Sequence, residues 1–366
     1  KPLERQETQL GEVKIAIPAL DISALGAGGG SIAWIDPGGI LDLGPHSAGA
    51  SPGPACYGQG GTEPTLTDAN LVLGLIAQET FLSGRLALDR SLATKAIEKH
   101  VARPLGLPAE EAALAINALA SARIAEGMRA NTVRRGLDPR EFTIFSFGGA
   151  GGIHAAAVAQ ELEIPRAIVP REASVLSALG FLAADVRHDY QRAVSKNLLD
   201  LNTEDVRLLF SEMEAAAVAA LSEEGFTPKE IRFTRILDCR YLRQVYTIPV
   251  EVSGANLSKD GDAIWMVEAF EKVYSALYRH VHERNAIVIE SVRLVAYGIL
   301  PSLSLPKEEA GGSDPVSAQR GTRQTYRGTM IDTPCYWFDD LKPGMRLTGP
   351  ALVDSESTTV ALPEQY

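Results

Sequence analysis

Cysteine is scarce: Cys56, Cys239 and Cys335 form an odd, widely scattered set in 366 residues. They exclude a disulfide framework, and a reducing cytoplasm is the simplest setting for them. Long apolar runs are missing too. No stretch of about 18 uninterrupted apolar residues occurs, and the opening KPLERQETQLGEV lacks the charged-then-apolar order of a signal peptide, so no membrane partner is expected. Basic charge is in deficit. The net charge of −11 and isoelectric point near 5.2 argue against nucleic acid, whose phosphates call for a basic surface. A phosphorylated small molecule stays compatible with that charge, because backbone N–H groups and one or two cations suffice to hold it. No catalytic signature stands out, neither a Ser-His-Asp order nor an isolated catalytic cysteine. The word HVHE at positions 280–283 is not HExxH, since histidines two apart fall on different helix faces.

Glycine, by contrast, is clustered. Between Phe142 and Ala159 the chain reads FTIFSFGGAGGIHAAAVA: an apolar strand enters Gly148-Gly149-Ala150-Gly151-Gly152 and an Ala-rich helix leaves. Such a loop lets the backbone come within contact distance of a ligand, and the helix start offers free N–H groups and a positive dipole end. It matches neither GxGxxG nor GxxxxGK[ST], so tight strand-to-helix packing is the plainer explanation of the loop alone. A second cluster, Gly26-Ala27-Gly28-Gly29-Gly30, leads into Ser31–Asp36. Its N–H groups suit phosphate oxygens, and with Asp36, Asp68 and Asn70 nearby, one or two carboxylates could hold Mg²⁺ with its waters. Turn formation and helix capping are the competing reading, and for Asp68 the two weigh equally. His46 and Cys56 share a loop, but two ligands do not make a zinc site, and no metal site is assigned. His154 falls in the first turn of a helix, where the dipole disfavours its charged form and packing or hydrogen bonding is expected.

Length predicts two domains, and texture changes between Arg187 and Asp200. Before that, strands are predicted at Val13–Ile17 and Ile22–Leu25, and an ordered irregular loop over residues 44–67. Thr67-Asp68 is expected to cap a helix starting near Ala69, with Leu71, Leu73 and Leu75 inward. A long helix is predicted from Glu110 to Gly136, then a helix to Leu162 and a strand at Arg166–Val169. In the second half, IRFTRILDCRYL and VYTIPVEV read as strands, and Thr203–Glu224 and Ala263–His282 as amphipathic helices. Tyr241, Gln244 and Tyr246 read as sheet surface. Lys307–Ser317 is the best candidate for a mobile loop.

Several long words together resemble the hydantoinase A and 5-oxoprolinase family, which includes acetone carboxylase beta subunits. They are DISALGAGGGSIAWID from Asp21, GPHSAGASPGPACYGQGGTEPTLTDAN from Gly44, FGGAGGIH from Phe147 and SVLSALGFLAAD from Ser174. YLRQVY from Tyr241, His282-Glu283-Arg284 and GPALVDSESTTVALP from Gly349 extend the likeness over nearly the whole chain. The resemblance implies an α/β fold: an RNase H-like lobe of the actin, heat-shock chaperone and sugar-kinase type over residues 1–189, followed by a smaller α+β C-terminal domain over 190–366. It implies ATP with Mg²⁺, a cyclic amide or ketone substrate activated by phosphorylation, a hydantoinase B-type partner subunit and an oligomeric assembly. Gly148, Gly149, Gly151 and Gly152 would fall on an adenosine motif. Gly28, Gly29, Gly30 and Ser31 would lie near the cleft floor, with Asp68 and Asn70 as cleft polar groups. No residue is assigned as the catalytic base.

Two departures matter. The family's Asp-Gly-Gly-Thr phosphate motifs do not occur here, so the chain is expected to be a portion of a longer protein with little ATPase activity alone. Asn285-Ala286 follows His-Glu-Arg where a tyrosine-glycine pair is expected. The leading expectation is an ATP-dependent cyclic amidase subunit. The alternatives are a carboxylase beta subunit and a noncatalytic module docking a hydantoinase B-type subunit.

Overall fold

A computed structural model describes residues 4–5, 8–10, 12–15, 19–79, 81–258, 264–280, 286–304 and 307–364. The chain divides into two compact units, one of residues 1–178 with 306–366 and the other of 179–305.

The first unit opens with two short antiparallel pairs, β1 (Glu4–Arg5) with β4 (Ala19–Leu20) and β2 (Thr8–Leu10) with β3 (Val13–Ile15). Ile22–Leu25, predicted as a strand, is unpaired coil. It lies along a helix instead: Ser23 Oγ donates to Asn131 Oδ1 (3.0 Å) and the Leu25 side chain covers Gly127. Next comes the hairpin of β5 (Ser31–Ile35) and β6 (Leu41–Ser47). Asp36 closes its turn, with Oδ1 accepting from Gly38 N (2.9 Å) and Ile40 N (2.8 Å). The following loop carries one 3-10 turn, Ala55–Tyr57, and then α1 (Leu66–Val72) begins. Its cap is Thr65, three residues earlier than expected. Thr65 Oγ1 accepts from Asp68 N while Asp68 accepts from Thr65 N, a reciprocal box that satisfies two otherwise orphaned donors.

Then α2 (Arg90–Ile97) runs through a π turn, Glu98–Ala102, into α3 (Arg103–Leu105). The long helix is α4 (Ala109–Val133), whose buried Ala109, Ala112, Ala113, Ile116, Ala120, Ser121 and Ala125 form one stripe built largely on three- and four-residue steps. That stripe of mostly small side chains lets α1 and α5 (Gly151–Glu161) approach closely. β7 (Ile144–Phe145), α5 and β8 (Ala167–Ile168) form a parallel βαβ unit, and α6 (Leu176–Ala183) follows.

The second unit has its own core. β9 (Val186–Asn197), α7 (Thr203–Glu223), β10 (Ile231–Tyr241), β11 (Ile248–Val252), α8 (Gly254–Leu257), α9 (Ile264–Tyr278) and β12 (Ile287–Gly298) follow in order. The strands form one antiparallel sheet, β11-β10-β12-β9. Val206, Phe210, Met213, Ala217 and Leu221 of α7, with Met266, Phe270 and Tyr274 of α9, bury their apolar stripes in one cluster with the sheet. Tyr241, expected on the sheet surface, is 1% exposed. It packs edge-on against Phe270 and Tyr274, because it lies at the end of β10 under α9. Gln244 donates to Tyr274 Oη (2.6 Å), whereas Tyr246 is exposed. His280 follows α9, with Nδ1 2.8 Å from Tyr278 O. The His282-Glu283-Arg284 word lies outside the described residues.

The chain then rejoins the first unit. β13 (Gln319–Tyr326), β14 (Met330–Trp337), β15 (Ala351–Asp354) and β16 (Thr359–Leu362) form a four-stranded sheet in that order, parallel only between β14 and β15. The segment before it is irregular but tied down, by Arg171 to Glu308 (2.6 Å) and by Gly311 N to Pro343 O (3.0 Å). Cys335, Leu352 and Ala361 enter the same buried cluster as Leu43, Leu66 and Ile116.

Candidate functional site

The turn at Gly29 is built by hydroxyls. Gly28 N donates to Ser31 Oγ (2.9 Å), and Ser31 Oγ donates to Gly26 O (3.1 Å), so the serine side chain is used in closing its own loop. Gly29 O accepts from both Thr67 N and Thr67 Oγ1, each 2.9 Å away. The loop therefore docks on the start of α1. A Cβ at Gly29 would lie 2.8 Å from Thr67 Oγ1, and one at Gly30 2.8 Å from Ser47 Oγ.

The FGGAGG loop is held from the far end of the sequence. Gly148 takes a φ of +90°, and its N–H donates to Ala173 O (2.7 Å). Gly149 O accepts from Thr358 Oγ1 (3.0 Å), and Ser174 and Ser357 join hydroxyls. Gly152 faces β16, where a Cβ would meet Thr359 O at 2.6 Å, and a Cβ on Gly151 would meet Ser146 Oγ at 2.7 Å. α5 starts at Ala150 without a side-chain cap.

Between these loops lies a cavity of about 320 Å³. Gly29, Gly30, Asn70 and Gly149 line it, whereas Gly28, Ser31, Asp68, Gly148, Gly151 and Gly152 do not. One wall is apolar, made by Pro54, Tyr57, Ile76 and Phe81, with the two rings 6.0 Å apart at 44°. The opposite wall is the 354–359 loop, where Asp354 and Glu356 bring carboxyl groups. Asp354 is engaged: Arg323 donates to Oδ2 (2.6 Å) and Thr359 Oγ1 to Oδ1 (2.8 Å). No Lys, Arg or His is among the lining residues.

Asp68 is wholly buried, and its carboxylate is consumed locally. It accepts from Cys56 N (2.7 Å), Ala55 N (3.2 Å), Thr65 N (2.8 Å) and Thr65 Oγ1 (2.7 Å), fastening the 50s loop to α1. Cys56 is inert in that setting, since burial, reinforced by the Asp68 charge, pushes its thiol far up. Asn70 differs. It is also fully buried, and its Oδ1 accepts from Asn117 Nδ2 (2.7 Å), but its own Nδ2 has no partner. His154 is 3% exposed beside Ser121, with Nδ1 2.9 Å from Oγ. Desolvation lowers its pKa to about 4, which keeps it neutral.

Among the described residues, no group of three or more His, Cys, Asp or Glu side chains is placed to hold a metal ion, and no helix is long and apolar enough to cross a membrane. Tyr57, Phe81 and the 354–359 loop were not singled out as site residues. The aromatic pair carries no motif, and the loop lies some two hundred residues from the glycines that it touches.

Two glycine turns, an uncapped helix start and an apolar wall surround one cavity in a fold of the α/β class. The pattern of the hydantoinase/oxoprolinase family matches residues 1–190, and that of the hydantoinase/oxoprolinase C-terminal domain matches 194–366. The chain belongs to the hydantoinase/oxoprolinase family. It is 32% identical to caprolactamase subunit alpha of Pseudomonas jessenii over 96% of this chain and 51% of that one. It is likewise 32% identical to the acetophenone carboxylase gamma subunit of Aromatoleum aromaticum, over 95% and 49%. Nucleotide-free acetone carboxylase superimposes on the whole chain and 53% of its own, with a TM-score of 0.89 and 26% identity. The chain thus spans about half the length of the curated relatives that it matches. The α/β fold class implied by the resemblance agrees with these neighbours. The family patterns divide the chain near residue 190, whereas the compact units divide it after 178 and 305.

Proposed function

We propose that this chain is the nucleoside-holding portion of an ATP-dependent enzyme subunit that opens a cyclic amide of the hydantoin, 5-oxoproline or lactam type. The observation that carries the reading is the cavity in which Gly29, Gly30, Asn70 and Gly149, all expected at the nucleotide, come together. Its chemistry suits the uncharged end of ATP. The apolar wall and the leftover Asn70 donor match a heterocycle, and no lining residue supplies a cation for the phosphates. When bound, ATP supplies a phosphoryl group that turns a poor amide electrophile into a good one. The chain's own task is then positioning. Gly29 and Gly30 let their turn pack against Thr67 and Ser47 at the edge of the cavity, Gly149 brings backbone to it, and the 354–359 loop closes one side against water.

The likeness to a caprolactamase subunit supports the amide reading and a partner subunit, for which a hydantoinase B-type chain is the candidate. A second reading, carboxylation of a ketone, is supported by the acetone and acetophenone carboxylase matches. Residues 1–189 would be the second lobe of the ATP-binding domain and 190–366 the C-terminal domain. Mg²⁺ would arrive with the nucleotide, and three buried free thiols favour a cytoplasmic setting.

Calorimetric titration of adenosine and ATP into the chain tests the nucleotide reading. Both are expected to bind with affinities within about threefold of each other, less than the tenfold step of 1.4 kcal/mol. Gly149→Trp should abolish both. Binding of neither ligand overturns the reading. Adding a hydantoinase B-type subunit and measuring ATP-dependent ring opening against bicarbonate-dependent ketone consumption separates the two chemistries.

A further inference from the structure

We propose that Asn70 is the specificity-determining donor of this cavity, its Nδ2 donating to an acceptor atom on the uncharged nucleoside part of the ligand. The proposal rests on the nucleotide reading above. Asn70 is 0% exposed, and both of its amide ends are accounted for differently. Oδ1 accepts from Asn117 Nδ2 at 2.7 Å. Asn117 presents its NH₂ group to that oxygen, which turns the nitrogen of Asn70 away from Asn117. The Asn70 Nδ2 is left buried with no partner, on a residue that borders the cavity.

A buried donor without an acceptor is costly, so native structures rarely keep one without use. His100 Nε2, His154 Nε2 and Arg327 Nε are also buried without a partner, but none of those residues lines the cavity. Two residues earlier on α1, Asp68 has every oxygen bonded. The surroundings choose the acceptor's chemistry. Asp354 is paired with Arg323, but Glu356 carries a carboxyl group with no cation among the lining residues, which disfavours an anionic acceptor. The Tyr57 and Phe81 rings offer an apolar face. The start of α5, which has no side-chain cap, also borders the cavity through Gly149 and Ala150. A neutral, acceptor-rich heterocycle with its sugar answers all of these features.

The test is a cycle in which the acceptor is deleted on one side and the donor on the other. Adenosine, its 1-, 3- and 7-deaza analogues and its 2′- and 3′-deoxy analogues are titrated into the wild-type chain and into Asn70→Leu. In the wild type, one deletion is expected to weaken binding about tenfold, the factor that corresponds to 1.4 kcal/mol. Asn70→Leu should lose about tenfold for adenosine and nothing further for that analogue. Equal weakening of every ligand by Asn70→Leu marks a structural role and overturns the proposal. The wild-type series stands by itself should the variant misfold: if no acceptor deletion matters, the proposal fails while the nucleotide reading survives. If adenosine itself does not bind, both fall.

Discussion

His154 shows how far burial can decide a residue's part. Its ring is packed beside Ser121 with no carboxylate near enough to favour its charged form, and desolvation alone holds its pKa at about 4 against an ordinary 6.5. The unfolded chain therefore binds this proton at a higher pH than the folded one does. Stability from the neutral ring is complete above about pH 6.5 and is lost as pH falls towards 4. Between pH 7 and 5 the loss attributable to this residue is about 2 kcal/mol. His154→Asn is expected to be less stable at neutral pH but to show that much less decline on acidification. Urea midpoints for both proteins across this range measure it, and parallel curves would refute it. The sequence alone supported a packing role, because a helix first turn disfavours an imidazolium. It could not show that Asp68 would be exhausted by its cap while Asn70 kept a free donor. Both depend on which neighbours arrive from elsewhere in the chain.

Helix α5 is an element whose existence was legible and whose environment was not. An apolar strand, glycines and an alanine run predict β7, a turn and α5, and these form as expected. Which surface the glycines serve is set by β16, and no local pattern encodes a partner two hundred residues away. Gly152 is the clearest case. Its missing side chain admits the carbonyl of Thr359, with Val360 also against it. Gly152→Val would drive β16 off α5, and overpacking of this kind typically costs about 1–3 kcal/mol. Gly180→Val is the control, since nothing lies within 4 Å of a Cβ there. Thermal melts should show a fall for Gly152→Val and none for Gly180→Val, since helix propensity alone favours Val over Gly by roughly 0.3 kcal/mol. Equal melts would show that β16 yields without cost.

At the scale of the whole molecule, the two units differ in how their cores are assembled. Every residue of the second unit's buried cluster, from Leu198 to Ala296, comes from one continuous stretch. Asp185 closes that stretch by accepting from Leu300 N (2.9 Å). The first unit's cluster instead draws Ala33, Leu66 and Ile116 together with Cys335, Leu352 and Ala361. Texture in the sequence marks a change near Asp189 but cannot show that the last sixty residues return, because strands of ordinary composition carry no address. The asymmetry has a consequence for folding. A fragment of residues 184–304 holds one sheet, two long helices and a complete apolar cluster, enough for independent stability. It is expected to unfold in urea as one cooperative transition with a slope of about 1–2 kcal/mol/M. A chain ending at residue 305 loses β13 to β16, which uncovers Gly152 and removes one wall of the cavity. Such a chain should keep the cooperative transition of its second unit while trypsin cleaves rapidly within residues 1–178, and adenosine binding should vanish. Protection of residues 1–178 in that shortened chain would mean that the returning strands only decorate the first unit. Cleavage there, with the 184–304 transition intact, would mean that they complete it.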